Sequence, residues 1–350
     1  MLFHTISLKN GNCDICLEND NLNFVGKVAR EKVVGNNAII ISDSNVSPLY
    51  SEQVKISLEA NGFNTSIAII EAGEKSKTVF TVNNLYVKVN KANITRSDII
   101  IALGGGVVGD IVGYVASSYL RGVPYIQVPS SLLAMVDSSI GGKTGVDLPF
   151  GKNLVGAFYQ PKAIITDVSL LKTLPEKYYI DGLAEVIKYG CISDKTIFTA
   201  LEDYNEKDVL QDIIKKSILI KSGVVQRDEF DLGERMLLNF GHTFGHSIEK
   251  CQKFVGLSHG KAISIGMVIA SKIGEELGIT NIGTTNRIIK LLDKFNLPTS
   301  IDIPKEKLFE AICADKKRLN NVLNFILLEE IGTSVIHKLS INDLRNVYKR

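Results

Sequence analysis

Five short apolar runs rich in β-branched residues recur along the first half of this 350-residue chain: AIIISD (38–43), SIAIIE (66–71), DIIIAL (98–103), PYIQVP (124–129) and AIITD (163–167). Runs of this kind, apolar without alternation and separated by stretches long enough for a helix, predict strands of a parallel sheet covered on both faces. After about residue 168 the pattern changes. LAEVIKYGCI, DVLQDIIKKSILIKSGVV, KAISIGMVIASKIGEELG and TNRIIKLLDKFN carry apolar residues at spacings of three and four, which predicts helices with one buried face. NVLNFILLEEIG (321–332) is read as a single returning hairpin. The expected fold class is an α/β N-terminal domain, residues 1–168, followed by a mostly α-helical C-terminal domain, residues 169–350. With no low-complexity linker, the crevice between the halves is the expected ligand site.

Forty Lys and Arg against 38 Asp and Glu leave a net charge of +2, so the chain has no overall field to hold nucleic acid or an anionic membrane. The most apolar stretch, 99–120, contains Asp110 and five glycines, which suits a buried strand, turn and helix better than a bilayer span. Lys9 interrupts any apolar leader near the N-terminus, and a cytoplasmic location is expected. The five scattered cysteines do not form a disulfide framework; Cys13 and Cys16 make a lone CxxC, read as structural rather than as a redox pair or half a zinc site.

Strand DIIIAL runs into Gly104-Gly105-Gly106-Val107-Val108-Gly109-Asp110, a GxGxxG pattern that opens a helix. Such a turn lets a pyrophosphate approach the backbone at a helix N-terminus, though a tight turn packed on its helix reads the same way. The acidic residue expected at the end of the next strand is replaced by Gln127-Val128-Pro129, so a ribose would be recognised from elsewhere: by Asp43, or by the turn Gly73-Glu74-Lys75-Ser76-Lys77.

Three of the five histidines, His242, His246 and His259, fall within eighteen residues, the first two four apart on one face of any helix. A catalytic zinc site takes three His, Asp or Glu ligands and keeps an open position. Glu185, on an otherwise apolar helical segment, is the carboxylate that would complete such a set; a helix ion pair with Lys188 is the plainer alternative. Arg121, Lys143, Lys152 and Asn153 stand among glycines and serines, and Lys221, Arg235 and Lys316-Lys317 add cations from the helical half. Together they would suit a phosphorylated, carboxylated small molecule.

These segments resemble one family, 3-dehydroquinate synthase of the sugar phosphate cyclase group. The likeness is carried by ALGGGVVGD (102–110), YLRGVPYIQVPSSLLAMVDSSIGGKTGVD (119–147), GKNLVGAFYQP (151–161), LKTLP (171–175), GLAEVIKYG (182–190), ERMLLNFGHTFGHSIE (234–249), HGKAISIGM (259–267) and ADKK (314–317). The resemblance implies a Rossmann-like NAD-binding domain and a helical metal- and substrate-binding domain. It further implies one NAD, one divalent metal (Zn2+, or alternatively Co2+), and a homodimer. By motif position, Glu185, His242 and His259 would be the metal ligands. The cofactor would meet Asp43, Gly73, Glu74, Lys77, Gly105, Gly106, Val107, Asp110, Ser130, Ser131, Lys143, Lys152 and Thr173. Substrate and catalytic contacts would fall on Asp137, Lys143, Lys152, Asn153, Lys188, Lys221, Arg235, Asn239, His246 and one of Lys316 or Lys317, with Arg121 reaching from a second subunit. The implied reaction converts 3-deoxy-D-arabino-heptulosonate 7-phosphate to 3-dehydroquinate and phosphate by transient oxidation, β-elimination, re-reduction and aldol closure. A metal-dependent polyol or glycerol-phosphate dehydrogenase and a sister cyclase are the alternatives. The chain departs from the family pattern at Ser130-Ser131, at Lys177 and Tyr178, at Lys261, and at Asn320 and Asn321.

Overall fold

The computed structural model describes residues 2–9, 11–253, 256–316 and 322–349, with the side chains of 206, 207, 314–316 and 349 left out. Two compact units divide them: residues 1–175 with 221–230, and residues 176–220 with 231–350. The return of 221–230 to the first unit is not visible in the helical period of that segment.

The first unit runs β1 (Leu2–Leu8), β2 (Gly11–Glu18), α1 (Val25–Lys32), β3 (Asn37–Asp43), α2 (Ser47–Glu59), β4 (Asn64–Ile70), α3 (Val79–Lys91), β5 (Ile99–Gly104), α4 (Gly106–Ser118), β6 (Tyr125–Pro129), β7 (Lys143–Leu148), β8 (Gly151–Phe158) and β9 (Ala163–Asp167). Seven strands form one sheet in the order β1-β2-β9-β6-β5-β3-β4, all neighbours parallel except the β1–β2 hairpin. The five runs predicted as strands supply β3, β4, β5, β6 and β9. β3, β5, β6 and β9 are apolar on both faces because helices or neighbouring segments cover both. β4 differs from the expectation: it is an edge strand, and Ile67 and Ile69 are 38% and 47% exposed. Ile39, Ile41, Ile100, Val108, Ile111, Val112 and Val115 share one core between sheet and helices, where each fully buried side chain contributes about 1.5–3 kcal/mol.

From β3 the chain moves outward to β4, then crosses back so that β5 pairs on the other side of β3. The carboxyl ends of β3 and β5 therefore flank a topological switch point, the place where open α/β sheets bind ligands. The β1–β2 and β7–β8 hairpins were not anticipated, because polar residues, and glycines in β2, β7 and β8, interrupt any apolar run and leave no clear period. Cys13 and Cys16 lie three apart on β2, so their side chains leave opposite faces of the sheet and cannot pair with one another. Both are buried and both thiols are pushed up in pKa chiefly by that burial, as structural cysteines are.

The second unit contains α5 (Glu176–Ile192), α6 (Lys195–Asp203), α7 (Glu206–Arg227, whose last turns group with the first unit), α8 (His242–Cys251), α9 (His259–Glu276), α10 (Thr284–Lys294), α11 (Lys305–Lys316), the hairpin β10 (Val322–Glu330) and β11 (Thr333–Ser340), and α12 (Ile341–Lys349). No described helix is long and apolar enough to cross a membrane. The central helices touch through glycines. A Cβ on Gly266 of α9 would fall 1.9 Å from the carbonyl oxygen of Gly241, and one on Gly260 would fall 2.1 Å from that of Asp181 in α5. No side chain other than hydrogen fits at either crossing.

Gly266→Ala is expected to destabilise the protein by about 1–3 kcal/mol or more, since the obstructing atoms are backbone and cannot rotate away. Gly223→Ala on α7, where the nearest neighbour is a flexible arginine tip, is the control, expected to be neutral or stabilising by about 0.4–1 kcal/mol. Denaturant unfolding of both variants checks the pair; equal midpoints would contradict the close-packing account.

Candidate functional site

Glu185 lies in the middle of α5, only 1% exposed. A lone carboxylate buried so deeply would cost several kcal/mol, so its neighbours are the first question. Its Oε2 is ion-paired with the ammonium of Lys188, one turn on and equally buried. Its Oε1 receives no hydrogen bond, and lies 3.4 Å from His242 Nε2 and 3.5 Å from His259 Nε2. The three ligand atoms sit within 4.8 Å of one another. With metal–ligand bonds of about 2.0–2.1 Å, two ligand atoms at tetrahedral angles around Zn2+ lie about 3.4 Å apart, so a bare oxygen facing two imidazole nitrogens at these separations fits one divalent ion.

Local structure aims each group. His242 is the first residue of α8, which starts from Gly241 in the left-handed conformation (φ 79°). Its Nδ1 lies 3.1 Å from the Phe240 carbonyl oxygen, which turns Nε2 toward Glu185. His259 opens α9, whose first turn is capped from another helix: Gly260 N–H donates to Asp181 Oδ1 at 2.7 Å. Asp181 precedes Glu185 by one turn of α5, so the same helix that supplies the carboxylate anchors the helix that supplies the second imidazole. Burial, reinforced by Lys188, pushes His242 down to about 3 against the pull of Glu185. For His259 burial is outweighed by Glu185 and Glu249, which raise it to about 10. Glu185 is held well below the usual carboxylate range by Lys188 and both imidazoles, against its burial. Lys188 and His259 thus supply the positive charge beside the Glu185 carboxylate, while the His242 ring stays neutral, the form in which an imidazole binds a metal.

Sequence reasoning missed Glu249. It follows His242 and His246 on the same face of α8, at i, i+4 and i+7, and is buried. His246 Nδ1 lies 2.8 Å from Glu249 Oε2, and His259 Nδ1 lies 3.5 Å from Oε1. The i+7 spacing was the available signal. His246 itself is half exposed, its side chain at 53%. In the same unit Lys188 and Arg235 are buried and Asn239 is exposed at the end of a short 3-10 turn (Glu234–Asn239). Lys261, in the first turn of α9, makes no ion pair with the cluster among the described residues, and Lys177 stands over the half-exposed ring of Tyr178 at 4.7 Å. The Lys316 side chain, Lys317, Asn320 and Asn321 lie outside the described residues.

In the first unit the glycine turn caps α4 without help from any side chain, leaving the first N–H groups of a thirteen-residue helix open to an anion. A Cβ on Gly109 would meet Gln127 Oε1 at 2.6 Å, so the third glycine of the pattern serves helix-to-strand packing. Gln127 occupies the place where an acidic residue was missed, and Asp43 supplies one instead. Ser42 pairs with Leu103 across β3 and β5, which sets Asp43 beside the glycine turn; its Oδ1 accepts from the N–H groups of Asn45 and Val46 at 2.8 and 3.0 Å. Ser130 N–H donates to the Gly104 carbonyl at 3.0 Å, Ser131 Oγ accepts from Ala134 N–H at 3.3 Å, and Thr173 Oγ1 donates to the Leu170 carbonyl and touches the Tyr50 hydroxyl. Uncapped helix donors, a glycine turn and an adjacent carboxylate fit a dinucleotide.

Buried Lys77 joins two of the predicted residues, donating to Asp110 Oδ2 and to Asn153 Oδ1, both at 2.6 Å. Burial alone would lower this ammonium; Asp110 and Glu74 more than offset it and hold Lys77 above an ordinary lysine. Gly73 takes φ 104°, a glycine conformation that lets the Glu74–Ser76 turn approach the β7–β8 hairpin, and Lys152 on that hairpin pairs with Glu74 at 3.6 Å. Asp137, in a short π-helical turn (Ala134–Ser138), holds Lys221: Nζ lies 2.9 Å from Oδ1 and donates to the Asp137 carbonyl. Lys143 is exposed at the start of β7. Arg121 is not brought to this group. It follows the far end of α4, about 20 Å of helix from the glycine turn, in a left-handed run with Leu120 (φ 49° and 65°).

The N-terminal family model of 3-dehydroquinate synthase matches residues 67–181, and the C-terminal model of the same enzyme matches residues 182–318. A 3-dehydroquinate synthase of Clostridium kluyveri is 46% identical over 348 residues, covering 98% of this chain and 96% of its own. Among solved structures, a 2-epi-5-epi-valiolone synthase from Streptomyces hygroscopicus subsp. jinggangensis, with NAD+ and Zn2+ bound, superposes with a TM-score of 0.87 at 25% identity, covering 99% of this chain and 98% of the other. A 2-deoxy-scyllo-inosose synthase complexed with carbaglucose-6-phosphate, NAD+ and Co2+ gives 0.86 at 26% identity, with 99% and 98% covered. On matched models that together span more than half its length, and on a relative aligned almost end to end, this chain belongs to the 3-dehydroquinate synthase family.

Proposed function

We propose that this chain converts 3-deoxy-D-arabino-heptulosonate 7-phosphate to 3-dehydroquinate and inorganic phosphate, a carbon–oxygen lyase reaction of the shikimate pathway, as a cytoplasmic homodimer using NAD and one Zn2+ or Co2+. The observation that carries the reading is the convergence of Glu185, His242 and His259 around an oxygen with no hydrogen-bond donor. Glu185, His242 and His259 would hold the metal; Asp43, the 73–77 turn, the glycine turn, Ser130, Ser131 and Thr173 would hold NAD. Residues 1–168 are read as the NAD-binding part and 169–350 as the metal- and substrate-binding part.

Bound here, NAD would supply a reversible hydride acceptor for the C5 carbinol, and the metal held by Glu185, His242 and His259 would supply a Lewis acid for its oxygen. The chain's own groups then do the positioning. Lys143, Lys152 and Asn153 on the β7–β8 hairpin, with Lys221 held by Asp137, and Lys188, Arg235 and Asn239 of the helical unit, bind phosphate, carboxylate and hydroxyls. Arginine gives bidentate contacts, and lysines give point charges. His246 Nε2 is left to accept a proton from a substrate hydroxyl. The departing phosphate takes the C6 proton, so no protein carboxylate needs to act as that base, and held reactants favour the intramolecular aldol closure over reaction with solvent.

Purified protein supplied with NAD and Zn2+ or Co2+ is expected to release one phosphate per heptulosonate with no net NADH, to stop on chelation and to resume when metal is restored. Absence of phosphate release, with NAD and metal demonstrably bound, would overturn the reading, and steady NADH formation on a simple polyol would favour a dehydrogenase. Glu185→Gln should weaken metal binding by more than the roughly 10–100-fold typical of losing an outer partner. It should also destabilise the metal-free fold by about 3–5 kcal/mol, because the buried Lys188 ammonium loses its counter-charge; chelator competition and urea unfolding measure the two effects. For the dimer, Arg121→Ala and Lys152→Ala are each expected to be nearly inactive alone, whereas an equal mixture, after subunit exchange, recovers turnover because some sites draw both residues from intact copies. A mixture as inactive as its parents would show that Arg121 does not serve a neighbouring subunit.

A further inference from the structure

Glu249 has no place in the residue roles argued above, yet both of its carboxylate oxygens face histidines of the cluster. His246 Nδ1 is 2.8 Å from Oε2, and His259 Nδ1 is 3.5 Å from Oε1, in a side chain only 6% exposed. An ionised carboxylate can only accept, so each Nδ1 facing it carries a proton, and the opposite Nε2 edge is the one at which a bound cation would displace the second proton of His259 or a hydroxyl would meet His246. For His259 that edge lies 3.5 Å from Glu185 Oε1. His246, the other ring so held, is half exposed, its side chain at 53%. We propose that Glu249 is a positioning residue that fixes the tautomer and the orientation of His246 and His259 together, so that one buried carboxylate aims both a metal ligand and the histidine meant for the substrate hydroxyl.

The inference rests on the reading above for the roles of the two histidines, and it makes them interdependent. His246, Glu249 and His259 also lie close enough to be considered as a metal set themselves. The 2.8 Å separation of His246 Nδ1 and Glu249 Oε2 is a hydrogen-bond distance, shorter than the spacing of about 3.4 Å between two ligand atoms of one tetrahedral ion. Glu249 therefore stands behind the ligand and outside the coordination sphere, as carboxylates do that orient metal-bound imidazoles.

Two measurements on the full chain test this, and neither needs turnover. In Zn2+-loaded wild-type protein labelled with 15N-histidine, which has only five histidines to resolve, two-bond proton–nitrogen spectra are expected to show His246 and His259 both protonated at Nδ1. Protonation of His246 at Nε2, or metal on the Nδ1 of either ring, overturns the proposal, and this reading of the wild type stands whether or not any variant folds. Glu249→Gln keeps the shape but leaves one acceptor oxygen for two Nδ1 groups and faces the other with an amide NH2. It should weaken Co2+ binding by about 10–100-fold, followed by visible absorption, and release one of the two rings from its Nδ1-protonated form. A variant with wild-type Co2+ affinity and unchanged His246 and His259 spectra would also overturn it. A wild-type chain that shows both tautomers but releases no phosphate would defeat the synthase assignment and leave the role of Glu249 intact.

Discussion

The most deeply buried carboxylate of the second unit, Glu185, sets what must surround it. Glu185 could not remain ionised at 1% exposure without cations around it, and three helices meet there. α5 carries the carboxylate and its ion-pair partner Lys188, α8 begins on His242, and α9 begins on His259. Both imidazoles sit at helix starts, where the chain direction is set by a left-handed glycine in one case and by the Asp181 cap in the other.

Those helices can converge only because their crossings lack side chains. Gly260 lies against Asp181 and Gly266 against Gly241, each at a separation no Cβ could share, and Gly245 lies tightly against Ile263. Close packing transmits position with little slack. The placement of three ligand atoms is therefore a property of glycines several residues away as much as of the ligands. The first unit uses the same economy at the Gly104–Gly109 turn, where the sheet's switch point supplies an open helix start and Asp43 its adjacent carboxylate. Lys77 then ties the helix of that turn, through Asp110, to the hairpin bearing Asn153, so that residues proposed for the nucleotide and for the substrate share one buried ammonium.

Much of this was legible in one dimension. The sheet strands announced themselves because strands covered on both faces must be apolar without interruption, and the helices of the second half because one buried face repeats every three to four residues. Where burial was one-sided or slight, as in β4 and β8, the signal weakened or misled. At the cluster, spacing put His242 and His246 on one helical face but could not rank them as ligands. That choice depends on which ring faces Glu185, a residue 57 positions earlier, and only the likeness to a known family separated them.

What the sequence determined by itself was the kind of structure and the inventory of chemistry: a parallel α/β part, a helical part, a glycine turn after a strand, and histidines clustered with a carboxylate in apolar surroundings. These follow from local periodicity and residue type, which are properties of neighbours along the chain. Only the tertiary structure decided that Glu185 Oε1 lacks a donor, that Asp43 stands beside the glycine turn, that Asp181 caps α9, and that Glu249 divides its two oxygens between two histidines. Those are distances between residues far apart in order, and they are set by how closely glycine-lined helices and neighbouring strands can approach.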